Sequence, residues 1–545
     1  MNDLAFIPLG GTGEIGMNLN LYRCDGRLLA VDCGIGFGGR DDPAVDIMVP
    51  DPAWLVERRD ALEALVITHA HEDHVGAVVH LWPMLRCPVV AGPFASAVLR
   101  RKLAEAGLSH DVKLITVPLP GRHRAGPFDV EFLRVAHSIP EATALAIRTP
   151  HGLLVHTGDW KLDPNPLIGP PTDEAGFARL GEEGVLAMIC DSTGAQTEGH
   201  SGSEADVRRN MAAIIRGLKG RVAVSCFSTN LARIESIALA GMAAGRDVAL
   251  VGRSLRNSVQ AARECGYLEA IPDFVSEEEA GFIPDDNLLV ICTGSQGEER
   301  SALAKIAADT HPNIALGQGD TVIFSSRMIP GNERAILRMQ DALTRRGCRV
   351  MTAEDHAVHV SGHPARDELK RLYGLVKPRY SVPVHGEWRH LSDHAELARE
   401  CGAQPFLVED GDVVRFGPDD AGVLPAAVPV GRLAVDGNRL LPLQGGVMGA
   451  RKRMLFNGIV MVSLAVDADG RVLGAPRVSA PGLFEADGPE LPQIADELAR
   501  GVNDLPKGLR REDDSLADSA RGLLRRALGR RLRKRPNVEI HLLRV

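Results

Sequence analysis

The sequence lacks the features that mark several protein classes. In its 545 residues no apolar run approaches the roughly 18 residues of a membrane-spanning helix, so no membrane partner is expected. The N-terminal residues show neither a basic stretch nor a long apolar core, so a secretory signal is not expected. Aromatic residues make up only 4%, but apolar residues reach 45% and charged residues 24%, which is typical of a globular chain with large cores.

Cysteine is scarce and scattered. Nine cysteines lie between Cys24 and Cys401, with no C-x-x-C pair and an odd total. Such spacing does not form a disulfide framework, and it favours a reducing compartment. We therefore predict a cytoplasmic protein with free thiols.

Charge is distributed unevenly along the chain. Lys and Arg number 62 against 71 Asp and Glu, a net charge of −9, yet residues 501–545 hold 12 basic and only 6 acidic residues. Within them, residues 521–535 include eight basic residues and no acidic one. Two interpretations stay open. The segment contacts a polyanion, or it is the solvated face of a helix whose Leu524, Leu528 and Leu532 pack inward.

The order of apolar runs predicts an α/β protein of several domains. Roughly the first 200 residues read as short strands punctuated by glycine, typical of a mixed-sheet sandwich with helices outside. Strands and helices then alternate over residues 204–352, which predicts a doubly wound parallel unit, and short motifs resume afterwards. We therefore place a first domain at 1–203 and 353–430, an insertion at 204–352, a linker at 431–454 and a C-terminal β-β-α-α-β domain at 455–545. The C-terminal hairpin is expected to turn at Asp469-Gly470.

The densest chemical motif is THAHEDHVGA, which follows an apolar strand. It places four possible metal ligands within six residues, namely His69, His71, Asp73 and His74. Three further candidates follow later strands, namely His137, Asp159 and His385. Imidazole and carboxylate are the ligands that Zn²⁺ or Mn²⁺ prefers, and surface solvation explains so dense a cluster poorly. Five histidines and two aspartates suffice for two metals that share one carboxylate and lower the pKa of a bridging water to about 7.

These residues belong to a wider pattern that resembles the metallo-β-lactamase superfamily, its β-CASP branch and, within that branch, the bacterial ribonuclease J family. The supporting strings are LGGTGEIGMN, HAHEDHVGA, HSIP, HTGDWK, CDSTGA, TGSQGE, IPGNE, HVSGH and PVHGEWRHL. The departures are Ala70 where Gly is usual, Gly194 where Asn is usual, and FSTN where FASN is usual; none replaces a metal ligand. The resemblance implies a metallo-β-lactamase αββα sandwich, an inserted doubly wound β-CASP domain and a small α+β C-terminal domain.

The resemblance also implies a role for each motif residue. One metal ion would be held by His69, His71 and His137, and the other by Asp73, His74 and His385, with Asp159 bridging. Two divalent cations are expected, with zinc favoured and manganese or magnesium as alternatives. Asp191 and His363 correspond to positions used in proton transfer and phosphate placement, and which of them donates stays open. An alternative role for Asp191 is to orient a ligating histidine.

Two segments are expected, from the resemblance, to bind substrate phosphates. Their residues are Ser228, Thr229, Asn230, His359, Val360, Ser361, Gly362 and His363. The first segment follows a strand and opens a helix, so its N–H groups and hydroxyls would face an anion at the helix N-terminus. The alternative is that Ser228 or Thr229 only caps that helix.

Several other residues are interpreted as structural. Gly11-x-Gly13-x-x-Gly16 matches a dinucleotide fingerprint, but a strand rather than a helix is expected after it, which excludes a Rossmann site. The same loop is expected to run close to the metals, and Asp32 to stabilise nearby loops. Five isolated histidines are expected to be ordinary core or surface residues, namely His80, His110, His151, His156 and His311.

The resemblance implies a metal-dependent ribonuclease with 5′-to-3′ exonuclease and endonuclease activity, acting in rRNA maturation and mRNA decay. RNA with a 5′-monophosphate is the expected substrate, and a homodimer or homotetramer is the expected assembly. A small-molecule metallohydrolase is disfavoured by the insertion and the basic C-terminal segment. An RNA-binding scaffold with a dead site is disfavoured by the complete ligand set, and a DNA substrate stays an alternative because discrimination at the 2′-OH cannot be read from the sequence.

Overall fold

The computed structural model describes residues 3–39, 42, 45–329, 332–417 and 421–545. Pro330 and Gly331, from the string IPGNE, lie outside these residues. The chain divides into two compact units, Met1–Phe37 with Asp46–Val435, and Gly38–Val45 with Asp436–Val545. Within the described ranges, no helix has both the length and the apolar character needed to cross a membrane.

Two large sheets form the centre of the first unit. The first has eight strands in the spatial order Gly422–Leu424, Val413–Phe416, Leu4–Gly10, Leu19–Cys24, Arg27–Val31, Leu62–Ile67, Val89–Ala91 and Leu114–Thr116. The second has seven strands in the order Gly121–Ala125, Phe128–Arg134, Thr143–Thr149, Gly152–His156, Val185–Asp191, Tyr380–Val384 and Gln404–Pro405. Because successive side chains point to opposite faces of a sheet, alternate residues of both sheets share one buried core, for example Phe6 and Tyr22 with Phe128 and Phe132.

The position of the inserted unit follows from one strand pair. Val185–Asp191 and Tyr380–Val384 are parallel neighbours, with Asp191 opposite Val384. The two strands are therefore neighbours in the second sheet although they are far apart in sequence. The chain leaves the sandwich after the first of them and returns to it before the second. This arrangement agrees with an insertion rather than a following domain.

The inserted unit is a parallel α/β layer. Its five strands lie in the order Asp247–Val251, Leu288–Cys292, Val222–Ser225, Thr321–Phe324 and Arg349–Met351. Its helices are Glu204–Arg216, Leu231–Ala243, Arg253–Glu264, Glu277–Ala280, Ala302–Ala307 and Glu333–Arg345, with a 3-10 turn at Asp285–Asn287. The strands are apolar nearly throughout and buried along most of their length, as a parallel sheet covered on both faces requires.

The remaining elements of the first unit surround the two sheets. The helices are Ala53–Val56, Glu72–Val75, Val78–Leu85, Pro93–Glu105, Glu174–Glu183, Arg366–Val376 and Trp388–Glu400, with a 3-10 turn at Arg59–Ala61. Thr12–Gly13 pairs in parallel with Gly386–Glu387. Ile47–Pro50 pairs with Gly36–Phe37 and with Arg432–Asp436.

From Ile459 onward the second unit has the order β-β-α-α-α-β, one short helix more than the predicted β-β-α-α-β order. Ile459–Val466 pairs with Arg477–Ser479 and, in parallel, with Asn537–Arg544, and the connection after the first strand turns at Asp469 and Gly470. The helices are Gly446–Asn457, Glu490–Asn503, Lys507–Arg511 and Asp513–Leu532, and a further strand is Arg439–Pro442. Leu524 and Leu528 of the basic helix are buried, so its leucines do pack inward while most of its arginines stay exposed.

Residues 431–454 differ from the expected linker. They contain the strands Arg432–Asp436 and Arg439–Pro442 and most of the helix Gly446–Asn457. The first strand pairs with Ile47–Pro50, a partner far earlier in the chain that local periodicity cannot reveal. The helix begins among glycines, which weaken a helical pattern in the sequence.

Candidate metal centre

The seven candidate ligands lie where strands end. His69, His137, Asp159 and His385 each follow a strand of the two large sheets, and His71 precedes the short helix that carries Asp73 and His74. The structure brings all seven together in two groups that share Asp159. Within each group, every ligand atom lies within 4.8 Å of every other.

The first group consists of His69, His71, His137 and Asp159. His71 Nδ1 lies 3.1 Å from His69 Nε2 and 3.0 Å from His137 Nε2. Asp159 Oδ2 lies 3.8 Å from His69 Nε2 and 3.7 Å from His137 Nε2. Three ring nitrogens and one carboxylate oxygen therefore face a common point, a donor set that fits a tetrahedral Zn²⁺ ion.

The second group consists of Asp73, His74, His385 and the same Asp159. His74 Nε2 lies 3.3 Å from Asp159 Oδ2 and 3.6 Å from Asp73 Oδ2. His385 Nε2 lies 3.2 Å from Asp73 Oδ2 and 3.9 Å from Asp159 Oδ2. Because Asp159 Oδ2 faces both groups, the donor set fits two divalent cations bridged by one carboxylate.

The two groups differ in their electrostatics. In the first, burial is the main cause that lowers the pKa of His69 and His137 well below the ordinary value and the pKa of His71 to about 4. These rings are neutral at pH 7, the form that binds a metal. In the second, burial also disfavours the charged form, but Asp159 and other carboxylates outweigh it and raise the pKa of His74 and His385.

Two buried polar residues that sequence reasoning did not assign to the site hold His74 in place. Asp32 accepts hydrogen bonds from the Thr68 N–H at 2.8 Å and from His74 Nδ1 at 2.8 Å. Asn18 Nδ2 donates to the Asp73 carbonyl at 3.0 Å and lies 3.1 Å from His74 Nε2. Asp32 thus joins neighbouring loops, as expected, and also orients a candidate ligand. The only signal of this second role in the sequence is that Asp32 directly follows a strand, as several of the ligands do.

Two other candidate ligands, His385 and His137, have different hydrogen-bond partners. Thr193 Oγ1 lies 2.8 Å from His385 Nδ1 and donates to the His385 carbonyl, so it fixes the orientation of that ring. His137 Nδ1 donates to the Gly362 carbonyl at 2.7 Å. Such partners fix the tautomer and the direction of a ligating ring.

Buried Asp191 and partly exposed His363 form a pair beside both groups. Asp191 Oδ2 lies 2.8 Å from His363 Nδ1, and Asp191 Oδ1 lies 3.5 Å from His385 Nδ1. Burial opposes the charge of Asp191, but the charge of His363 and a hydrogen bond from its ring hold the pKa of Asp191 below its ordinary value. This shift is opposite to the one that a carboxylate proton donor needs. Burial likewise opposes the charge of His363, and Asp191 raises its pKa.

Only part of the centre is exposed to solvent. The side chains of Asp73 and His363 are 28% and 22% exposed, whereas those of His69 and Asp159 are nearly inaccessible. Asp73 and His363 are therefore side chains of the centre that solvent can contact.

The loop of residues 359–363 is attached directly to the first group. A side chain at Gly362 would come within 2.7 Å of the His137 ring, so only glycine lets the loop approach this closely. Ser361 Oγ accepts from the His363 N–H at 3.1 Å. His359 Nδ1 is buried and has no hydrogen-bond partner among the described residues, and burial lowers the pKa of this ring to about 3.

The helix cap at residues 228–230 differs from the alternative interpretation. Asn230, not Ser228 or Thr229, caps the helix Leu231–Ala243, because its side chain accepts from the Arg233 N–H at 2.9 Å. The Asn230 Nδ2 group also donates to Glu204 at 3.2 Å. Ser228 and Thr229 are half-buried directly before this helix.

The glycine loop lies beside the second group, as expected. The Gly11 carbonyl accepts from the His385 N–H at 2.8 Å, and a Cβ at Gly16 would lie 3.4 Å from Asp73 Cβ. The strand Leu19–Cys24 follows the loop, so the helix of a Rossmann site is not there. Among the isolated histidines, His156 is buried: it lines a small cavity with His74 and Asp159, and its Nδ1 lies 2.7 Å from Tyr22 Oη.

Comparisons with protein families match nearly the whole chain. The matching family models are "Beta-lactamase superfamily domain" at residues 29–221, "Ribonuclease J, beta-CASP domain" at 219–343, "Zn-dependent metallo-hydrolase RNA specificity domain" at 350–408 and "Ribonuclease J C-terminal domain" at 446–545. The two ribonuclease J models and the lactamase model together agree with the sandwich, its insertion and the second unit.

Comparisons with individual proteins point the same way. Ribonuclease J of Sinorhizobium meliloti is 44% identical over 100% of this chain and 98% of its own length. Ribonuclease J of Mycolicibacterium smegmatis is 39% identical over 98% of this chain and 96% of its own length. A solved structure of a protein of unknown function from Enterococcus faecalis, 16% identical, covers 75% of this chain and 99% of that chain with a TM-score of 0.50, which shows a shared fold.

Proposed function

This chain belongs to the ribonuclease J family and is a metal-dependent ribonuclease that binds RNA, and from this premise we propose that it both degrades RNA from the 5′ end and cuts it internally. The observation that carries the proposal is the position of the 359–363 loop, whose Gly362 carbonyl holds the ligand candidate His137. A phosphate bound by that loop would lie at a fixed distance from the cations. We place the enzyme in the cytoplasm, in rRNA maturation and mRNA decay; all nine cysteines are free.

We propose that two divalent cations occupy the centre, one in each ligand group. His69, His71 and His137 would hold the first, and Asp73, His74 and His385 the second, with Asp159 shared. Zn²⁺ suits this histidine-rich set, and Mn²⁺ or Mg²⁺ are the alternatives. When bound, such a pair of cations lowers the pKa of water and neutralises the negative charge of the phosphate under attack.

His363 is the proton donor in this proposal. Its Nδ1 is bound to Asp191, which leaves Nε2 of a partly exposed ring to protonate the leaving O3′ oxygen. Asp191 stays a carboxylate, orients the ring and favours its charged form. Because Asp191 also lies 3.5 Å from His385 Nδ1, the same carboxylate helps to orient a ligand.

The choice of the 5′ end would depend on a phosphate pocket. Ser228, Thr229 and the 359–363 loop would bind a 5′-monophosphate, and Asn230 positions the segment by capping its helix. His359 Nδ1 is buried and has no partner in the described part of the chain, so it is a polar group that a phosphate could satisfy. A triphosphate would fit such a pocket poorly, and internal cleavage would need RNA to pass through without this anchor.

The test is digestion of one RNA sequence with a 5′-monophosphate, a 5′-triphosphate or a 5′-hydroxyl, beside DNA of the same sequence. We expect the 5′-monophosphate RNA to be degraded fastest. Ser228→Ala or Thr229→Val should slow this exonuclease activity much more than internal cleavage. Ser276→Ala, which removes a cap from a short surface helix, is the matched control. Equal slowing of both activities, or no preference among the three 5′ ends, would contradict the pocket.

We also propose that the second unit serves assembly and RNA contact. Its described residues hold no clustered metal ligands, and Arg525 and Arg526 are exposed on its basic helix. A homodimer or homotetramer is the expected assembly. Removal of residues from Asp436 onward should lower the mass in light scattering and slow the turnover of long RNA more than that of short RNA. An unchanged mass with full turnover of long RNA would show that this role is wrong.

A further inference from the structure

The opening of the metal centre has a second side that the proposed phosphate pocket does not use. On the His363 side lies the loop of residues 359–363. On the Asp73 side lies the glycine loop, which carries Ile15 with 37% of its surface exposed. Next to this loop, Trp388 is 49% exposed at the first residue of the helix Trp388–Glu400.

Ile15 and Trp388 both lie just beyond the same end of one strand pair. Thr12 is opposite Gly386 and Gly13 is opposite Glu387 in a parallel strand pair, so the two chains leave this pair side by side. Ile15 follows Gly13 by two residues and Trp388 directly follows Glu387. We call these two side chains the Ile15–Trp388 ledge.

The same contacts fix the ledge to the second ligand group. Gly16, which follows Ile15, packs so closely that a Cβ there would lie 3.4 Å from Asp73 Cβ. Trp388 follows the ligand candidate His385 by three residues, and the His385 N–H donates to the Gly11 carbonyl at 2.8 Å. The Ile15 end of the ledge therefore lies beside Asp73, which is more exposed than His74 and His385, and the Trp388 end lies close in sequence to His385.

The chemistry of the ledge fits a nucleobase. An exposed indole offers a flat π face, and unpaired bases stack on such faces irrespective of their sequence. Of the four tryptophans, all in the described part of the chain, Trp160 and Trp82 are buried and Trp54 lies beneath Arg58. An indole left half-exposed next to a ribonuclease centre is thus available to RNA.

We propose that the Ile15–Trp388 ledge stacks the base of the nucleotide immediately 3′ of the cleaved bond. The proposal rests on the proposed 5′-phosphate pocket, because that pocket places nucleotide 1 on the His363 side and the first linkage over Asp159. Nucleotide 2 then lies on the Asp73 side, where the ledge is. Stacking does not depend on hydrogen bonds to a particular base, so the ledge could bind any of the four bases. Degradation of RNA of mixed sequence requires this tolerance.

The first test compares intact 5′-monophosphate RNA with the same RNA lacking the base of nucleotide 2. For the unmodified protein we expect the missing base to raise KM about tenfold, within the range for base–aromatic stacking. Trp388→Ala should raise KM for intact RNA by a similar factor and have no further effect on the abasic RNA. Trp388→Phe should keep most of the affinity, and Ile15→Ser should lose part of it. Phe282→Ala, at a side chain 90% exposed on the inserted unit, should change neither substrate.

The second test does not depend on turnover. RNA whose first linkage cannot be hydrolysed should quench Trp388 fluorescence, and the abasic version should not. Equal effects of Trp388→Ala on both RNAs, or equal quenching by both, would overturn the ledge and leave Trp388 a structural residue. If the quenching depends on base 2 but the three 5′ ends are degraded alike, the ledge stands and the phosphate pocket is wrong.

Discussion

The two halves of the metal centre differ in charge and in what holds their ligands. The half formed by His69, His71 and His137 presents neutral rings, since burial keeps their pKa low. The half formed by Asp73, His74 and His385 contains a second carboxylate, and its rings favour the charged form. A cation in this second half therefore has to displace protons, so we expect its affinity to depend more strongly on pH.

The supporting contacts differ in the same way. In the first half, His137 is held by a backbone carbonyl of the 359–363 loop. In the second half, His74 and His385 are held by the side chains of Asp32 and Thr193. The first half is thus joined to the 359–363 loop by a direct hydrogen bond, and the second half is held mainly by side chains from other segments. Point substitutions of supporting side chains can weaken the second half separately.

The largest expected effect is the loss of a ligand from either half. His71→Ala and Asp73→Ala should each reduce RNA cleavage by at least about a hundredfold, because both proposed cations would act on the same phosphate. Thermal unfolding and RNA binding, measured on the same preparations, should be nearly unchanged. Undiminished cleavage by metal-free Asp73→Ala protein would contradict the assignment.

Loss of the proton donor should come next. His363→Gln should reduce kcat by about 10²- to 10⁴-fold, the range for removal of a general acid. Because a sulfur leaving group needs no proton, an RNA with a 3′-bridging sulfur at the first linkage should recover much of this loss. The kcat of Asp191→Asn should lie between that of the unmodified protein and that of His363→Gln. If the sulfur substrate recovers nothing in His363→Gln, the ring does not donate the proton.

A smaller and one-sided effect is expected from Asp32→Asn. Partners of ligating histidines contribute about 10- to 100-fold to metal affinity, and Asp32 bonds directly to His74 but reaches His69 only through Thr68. Metal titration should show one strongly weakened cation and one that changes much less. Asp25→Asn, at an exposed carboxylate that pairs with His151, is the matched control. Equal weakening of both cations would show that the two halves are not held independently.

The smallest effect concerns a carboxylate pair outside both halves. Burial and the charge of Glu14 raise the pKa of Asp410 well above its ordinary value. Unfolded Asp410 loses its proton near pH 4, whereas the folded protein keeps it, so stability falls as pH rises above about 4. Asp410→Asn cannot ionise and should raise Tm by about 2 °C at pH 8 and less at pH 5. A larger Tm gain at pH 5 than at pH 8 would show that the pKa of Asp410 is not raised in the folded protein.

The sequence was more informative about the ligands than about their supports. The ligands can be recognised along the chain, because they either form the dense motif at residues 69–74 or directly follow predicted strands. Asp32, Asn18 and Thr193 act through contacts with residues distant in sequence, which no local spacing reveals. The strand Arg432–Asp436 was missed for the same reason, because its partner lies near the start of the chain.

The most direct test of the central claim is anomalous X-ray diffraction at the zinc edge from crystals of the zinc-loaded protein. The account predicts two peaks about 3.5–4 Å apart, one on each side of Asp159 Oδ2. The first should lie about 2.0–2.1 Å from nitrogens of His69, His71 and His137, and the second at similar distances from His74 and His385. A single peak, or peaks bound by other residues, would contradict the two-cation centre.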